Sequence, residues 1–106
     1  MLYKFKSRAT ADLVMLEPAG RRLLEVLGRE QTAQGIFEWA DLPRLMQQLE
    51  QAIEQEEAMW ALAEQQAQAK GQEIRRPEVT LRQRLWPMRE MMRRSHADRQ
   101  PIVWGV

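Results

Sequence analysis

The sequence predicts an α+β fold: two layers, with a four-stranded, mostly antiparallel sheet and helices on one face, in the order β-β-α-β-α-α-β. Three observations predict it. Short alternating or wholly apolar runs recur at 2–7, 11–16, 35–39 and 102–106, the length of strands. Apolar residues recur at helical spacing over 42–53 and again over 81–92. Proline, glycine and capping residues stand where these segments change.

Residues 2–7 alternate, with Tyr3 and Phe5 on one face and Leu2, Lys4 and Lys6 on the other. That predicts a strand with its aromatics inward and its lysines solvated. Residues 7–10 connect it to a second strand over 11–16, close enough for a hairpin. Glu17-Pro18 opens a helix, since proline suits the first turn and a carboxylate favours the dipole. Leu23, Leu24 and Leu27 are its apolar stripe, and Gly28 is placed as a left-handed cap. The third strand, 35–39, sets Phe37 and Trp39 on one face.

Asp41 is the expected N-cap of a long helix, with Pro43 in its first turn. Leu42, Leu45, Met46, Leu49, Ala52 and Ile53 form its stripe. The pattern weakens at 54–57 and resumes with Met59, Trp60 and Ala63, so the helix either runs to about Ala69 or breaks near Glu57. Residues 64–73, EQQAQAKGQE, offer no large apolar side chain. They predict a frayed end or a mobile excursion within 64–76. Thr80 and Gln83 have capping-box spacing, and Leu81, Leu85, Met88 and Met92 share one face of the helix that follows. Pro87 lies inside it, so a kink is expected, with the Gln83 carbonyl losing its donor. Residues 102–106 close the sheet, because a free tail ending in Trp-Gly-Val would expose too much apolar surface. One domain, 1–106, without repeats, is expected from 106 residues.

The absence of cysteine excludes disulfides, thiol catalysis, zinc-thiolate sites and iron–sulfur clusters. A single histidine leaves little for a metal site, and no phosphate-binding glycine loop is present, so no cofactor is expected. The longest apolar run, 13–16, is far too short to span a bilayer, and no signal-peptide pattern opens the chain. A cytoplasmic protein without a membrane partner is the expectation.

Net charge is only +1, but it is unevenly spread: +2 over 1–37, −6 over 38–69 and +5 over 70–106, the last with eight arginines. The simpler reading makes the acidic and arginine-rich helices neighbours with complementary faces, each surface pair contributing ~0–1 kcal/mol. The sharper reading is an anion site on the second of them, using Arg82, Arg84, Arg89, Arg93 and Arg94, with His96 beside them. Ser95, His96 and Asp98 have the residue types of a hydrolase triad but are too close in sequence for its geometry. His96 is better placed to favour a helix C-terminus. Glu50, Glu54 and Glu57 share a helix face and could hold a hard cation, but a solvated face is the simpler reading. Of the tryptophans, Trp39 and Trp104 are expected at the core or its rim, Trp60 partly exposed and Trp86 beside the stripe.

The opening MLYKFKSRATADLVMLEPAGRRLLEVLG and the ending LRQRLWPMREMMRRSHADRQPIVWGV resemble a small proteobacterial family, DUF eighteen-forty. The two blocks cover about half the chain. The resemblance implies a single-domain cytoplasmic bacterial protein and supplies no activity, cofactor or catalytic residue. The leading expectation is therefore a non-enzymatic domain that associates with a protein partner or with itself as a homodimer, through helix packing at Met59 and Trp60 or through sheet edges. The alternative is a module binding a small anion or nucleic acid through the arginine-rich helix, 80–95. An enzymatic reading is the weakest of the three.

Overall fold

The computed structural model describes residues 2–106. Four strands, β1 (Leu2–Lys6), β2 (Leu13–Leu16), β3 (Gly35–Phe37) and β4 (Ile102–Trp104), alternate with three helices, α1 (Glu17–Val26), α2 (Leu42–Ala69) and α3 (Leu81–Ala97). The sheet is antiparallel throughout, in the order β2-β1-β4-β3. The expected element order and antiparallel sheet are therefore present, and the last strand lies in the middle of the sheet.

The alternation in β1 sends Tyr3 and Phe5 into the core. Phe5 lies between the rings of Tyr3 and Phe37, each 6.2 Å away, and Trp104 stands 4.7 Å from Phe37. This aromatic row runs across three strands and is covered by Leu23 and Leu24 of α1, Leu45 and Leu49 of α2, and Leu85, Met88 and Met92 of α3, all fully buried. Gly20 lets α1 approach β1, since a Cβ there would enter the Tyr3 ring.

All three helices end in the same way. The N–H groups of Gly28 and Arg29 reach back to Glu25 and Leu24, those of Gly71 and Gln72 to Gln68 and Ala67, and those of Arg99 and Gln100 to His96 and Ser95. These are Schellman motifs with a left-handed residue after the helix. Glycine fills that position twice, but Arg99 adopts φ 55° without being glycine. At the start of α3 the capping box is complete: Thr80 Oγ1 accepts from the Gln83 N–H, and the Gln83 side chain accepts from the Thr80 N–H. The helix continues through Pro87.

Three local expectations are corrected. β2 starts at Leu13 rather than residue 11, because a turn closed by the Thr10 N–H on the Ser7 carbonyl takes up the preceding residues. β3 ends at Phe37; Trp39 begins a 3₁₀ turn, Trp39–Asp41, that leads into α2 and leaves its ring exposed. Asp41 already has helical backbone angles, φ −87° and ψ −14°, so its side chain caps nothing. Its carboxylate instead faces Arg29 at 3.8 Å and Arg44 at 3.5 Å. Of the two expected courses of the long helix the continuous one is found: α2 is one unbroken helix of 28 residues ending at Ala69, about 42 Å long. Within the polar stretch after residue 63, Ala67 is buried.

The outer half of α2 extends past the sheet. The radius of gyration is 15.8 Å, against about 13 Å for a compact chain of this length. Residues 70–80 return along this arm without regular secondary structure.

Candidate functional site

Helices α2 and α3 pack antiparallel, and this brings the acidic and basic segments together. Arg82 donates from Nε and from a terminal nitrogen to the two carboxylate oxygens of Glu57, both at 2.9 Å. Arg89 donates to Glu50 at 2.9 Å. Both pairs lie one heptad apart on their helices, and Arg76 on the returning segment adds a third rung with Glu64. Arg93 donates to Glu90 within α3 at 2.8 Å. Trp86 lies between two of these guanidinium groups, 5.2 Å from Arg82 and 5.0 Å from Arg89.

Of the predicted anion site, then, Arg82, Arg89 and Arg93 are engaged with carboxylates. Arg84 and Arg94 make no ion pair among the described residues and stand on a different side of α3, toward β2. His96 is separate again. Its ring stacks on Trp39 at 5.7 Å, its carbonyl accepts from the Trp39 indole at 3.0 Å, and Arg99 stands 5.8 Å over the same indole. Ser95 points inward and donates to Ser7 Oγ at 2.7 Å, so it diverges from His96 and no relay forms. Glu50 and Glu57 face arginines where a cation would have to sit, and among the described residues no group of three His, Asp or Glu is placed to hold a metal.

The hydrogen bonds from Arg82 hold the Glu57 carboxyl below the usual carboxylate range, and those from Arg93 do the same for Glu90. Glu57 raises the Arg82 guanidinium in return. The folded chain thus binds fewer protons at these carboxyls than the unfolded chain does. Their contribution is fully present above the ordinary carboxylate value and is lost as pH falls through the lowered one. Both pairs are exposed, so the effect is small and screened by salt. The urea midpoint, followed from pH 7 down to about 3 at low salt, should fall less steeply for Arg82→Gln than for the native chain. Identical slopes would show that the Glu57 pair contributes nothing.

Among the described residues, two apolar surfaces are uncovered. The first is the face of the sheet opposite the helices. Register sets Leu2 beside Leu16 and Lys4 beside Val14 on this face, with Leu2, Val14 and Leu16 exposed by 59%, 51% and 68%. Ile36 and Val103, also register partners, continue it across β3 and β4. Lys4 and Lys6 stand among these apolar residues, and Lys6 has no ion pair among the described residues. The second surface is on the arm, where Met59 and Leu62 are 57% and 55% exposed and Trp60 is half-buried.

Beside the sheet face, two hollows flank β2. One, about 540 Å³, is bordered by Leu13–Leu16, Val79, Arg84 and Pro87; the other, about 180 Å³, by residues 10–13, Pro87, Met91 and Arg94. They share Leu13 and Pro87 and so form one trough between β2 and α3. Sequence reasoning missed it. The sequence carries only a slight signal of it, Pro87 between Arg84 and Arg94 along the helix, with nothing to say which strand edge they face.

Among the described residues, no helix is long and apolar enough to cross a membrane. The family model described as a domain of unknown function, DUF1840, matches residues 1–104. No curated protein and no solved structure matches the chain.

Proposed function

The chain belongs to the DUF1840 family, and we propose that it is a protein-association domain that binds a partner over the uncovered face of its sheet. The observation that carries this reading is the cluster of Leu2, Val14 and Leu16, adjacent by register and each more than half exposed. Contiguous exposed apolar surface rimmed by charge marks interaction sites. Lys4 and Lys6 lie within the cluster, so a partner presenting apolar anchors and carboxylates fits it, whereas two copies face to face would oppose their lysines. Met59, Leu62 and Trp60 on the arm offer a second, smaller contact on which two copies could meet.

A photo-crosslinking residue placed at position 16 in the native host tests this reading. One predominant protein adduct is expected, absent when the same residue replaces Gln47 on exposed α2, and lost when Val14→Lys is added. An adduct of twice 12.5 kDa identifies a second copy. Equal labelling from positions 16 and 47 would sink the proposal.

The phosphate-binding reading has less support, because Arg82, Arg89 and Arg93 already serve carboxylates. It would regain ground if an oligonucleotide bound with a steep salt dependence that Arg84→Ala and Arg94→Ala flattened.

A further inference from the structure

We propose that the trough between β2 and α3 receives an extended segment of a partner protein as a fifth strand of the sheet, an inference that rests on the association reading and gives the partner's chemistry. Among the described residues β2 pairs only with β1, so one of its sides is open. Residues along a strand turn their N–H and C=O alternately to the two sides, which leaves half of the β2 backbone without a partner strand. Exposed edges are usually guarded by lysine, proline or a bulge, and Leu13–Leu16 carries neither lysine nor proline. The trough follows this edge, and α3 is its far wall.

That wall fixes the pattern of the ligand. Pro87 stands at its middle, where the two hollows meet, and offers an exposed apolar ring with no N–H. Arg84 borders the hollow along Leu13–Leu16, and Arg94 borders the one along residues 10–13. Neither has a carboxylate partner among the described residues, unlike Arg82, Arg89 and Arg93 on the same helix. Glu90 also borders the trough, but its oxygens are taken by Arg89 and Arg93. Ten helical positions separate the two arginines, about 15 Å along the axis. Four strand residues span about 13 Å and return to the same face. The matching segment is therefore acid-x-apolar-x-acid, with both acids toward arginine and the apolar residue over Pro87. Main-chain pairing with β2 would supply affinity and these three side chains specificity.

A second copy of the chain does not fit this pattern. Its own β2 is flanked by Asp12 and Glu17, which an odd spacing sends to opposite faces. Those acids are also held already, by Lys4 at 3.6 Å and Arg21 at 2.6 Å.

The probe is a capped peptide, acetyl-SETVTES-amide, titrated into isotopically labelled protein. Amide signals of Leu13–Leu16 should shift, and their hydrogen exchange should slow. Charge reversal at exposed Arg84 or Arg94 should weaken binding about tenfold each, with the native spectrum kept elsewhere. The same peptide N-methylated at its valine and both threonines should not bind, because it cannot form the ladder. If the N-methylated peptide binds as well as its parent, strand addition is overturned and association through side chains stands. If the parent leaves Leu13–Leu16 unmoved up to about 1 mM, the inference fails whatever the cross-links show. Failure of position 16 in the otherwise native chain to give a predominant adduct instead overturns the association reading itself.

Discussion

Replacing Phe5 by alanine is expected to cost about 3–5 kcal/mol of unfolding free energy. Phe5 is fully buried at the centre of the sheet. Its ring meets Tyr3 on the same strand, Trp104 at 5.6 Å on the neighbouring strand and Phe37 at 6.2 Å beyond it. Truncation would remove the ring that joins these three and leave a cavity walled by β-strands, which close in less readily than a helix surface. Chains of this size have about 5–15 kcal/mol in total, so a large share of stability depends on one side chain. Urea unfolding followed by tryptophan fluorescence checks this, with a midpoint about 2 M lower expected from ordinary slopes. A loss under about 1 kcal/mol would show that the row relaxes around the gap, against the usual behaviour of packed cores.

The second large effect is expected at Gly35, where Gly35→Ala should destabilise by about 3 kcal/mol, the upper end for overpacking. A Cβ at this position would land inside the Trp104 ring, whose Cζ2 is its nearest neighbour. The ring cannot retreat. Phe37 stands 4.7 Å away on one side and Phe5 5.6 Å on another, and the indole N–H is tied to the Thr32 carbonyl at 3.1 Å. Gly28→Ala separates this from backbone strain. Gly28 has φ +67° with open space around its missing Cβ, so only a conformational cost of about 1–2 kcal/mol applies. Equal losses at the two sites, in the same denaturation experiment, would refute the steric account of Gly35.

Much of the fold could be read from local pattern. Tyr3 and Phe5 alternate with lysines, Leu42 to Ile53 keep helical period, and Thr80 with Gln83 marks a helix start, because each of these signals is complete within a few residues. What went astray depended on tertiary context. Trp39 continues the alternation of β3, but the chain turns into α2 and the indole finds the carbonyl and ring of His96, far away in sequence. Asp41 has a good capping residue type, but the 3₁₀ turn ahead of α2 supplies the end geometry. The arginine pattern was legible as charge and not as pairing. Glu50 and Glu57, like Arg82 and Arg89, are a heptad apart, but only the antiparallel packing of α2 on α3 makes one set answer the other. For the same reason Arg84 and Arg94 could not be separated from their neighbours by sequence. What distinguishes them is the side of α3 that faces an open strand edge, and strand order decides which edge is open.

That strand order also bears on how the protein is made. The sheet's central pair joins β1 to β4, which carry Phe5 and its register partner Trp104, and the neighbouring Ser7–Ser95 hydrogen bond spans 88 positions. During synthesis the β1–β2 hairpin and α1 can form as they emerge, but β1 keeps a bare inner edge and β3 has no neighbour at all until β4 is delivered. Closure of so long a loop is slow relative to local folding. The nascent chain therefore carries an unsealed aromatic row until β4 follows, and cooperative folding waits until residue 104 has left the ribosome.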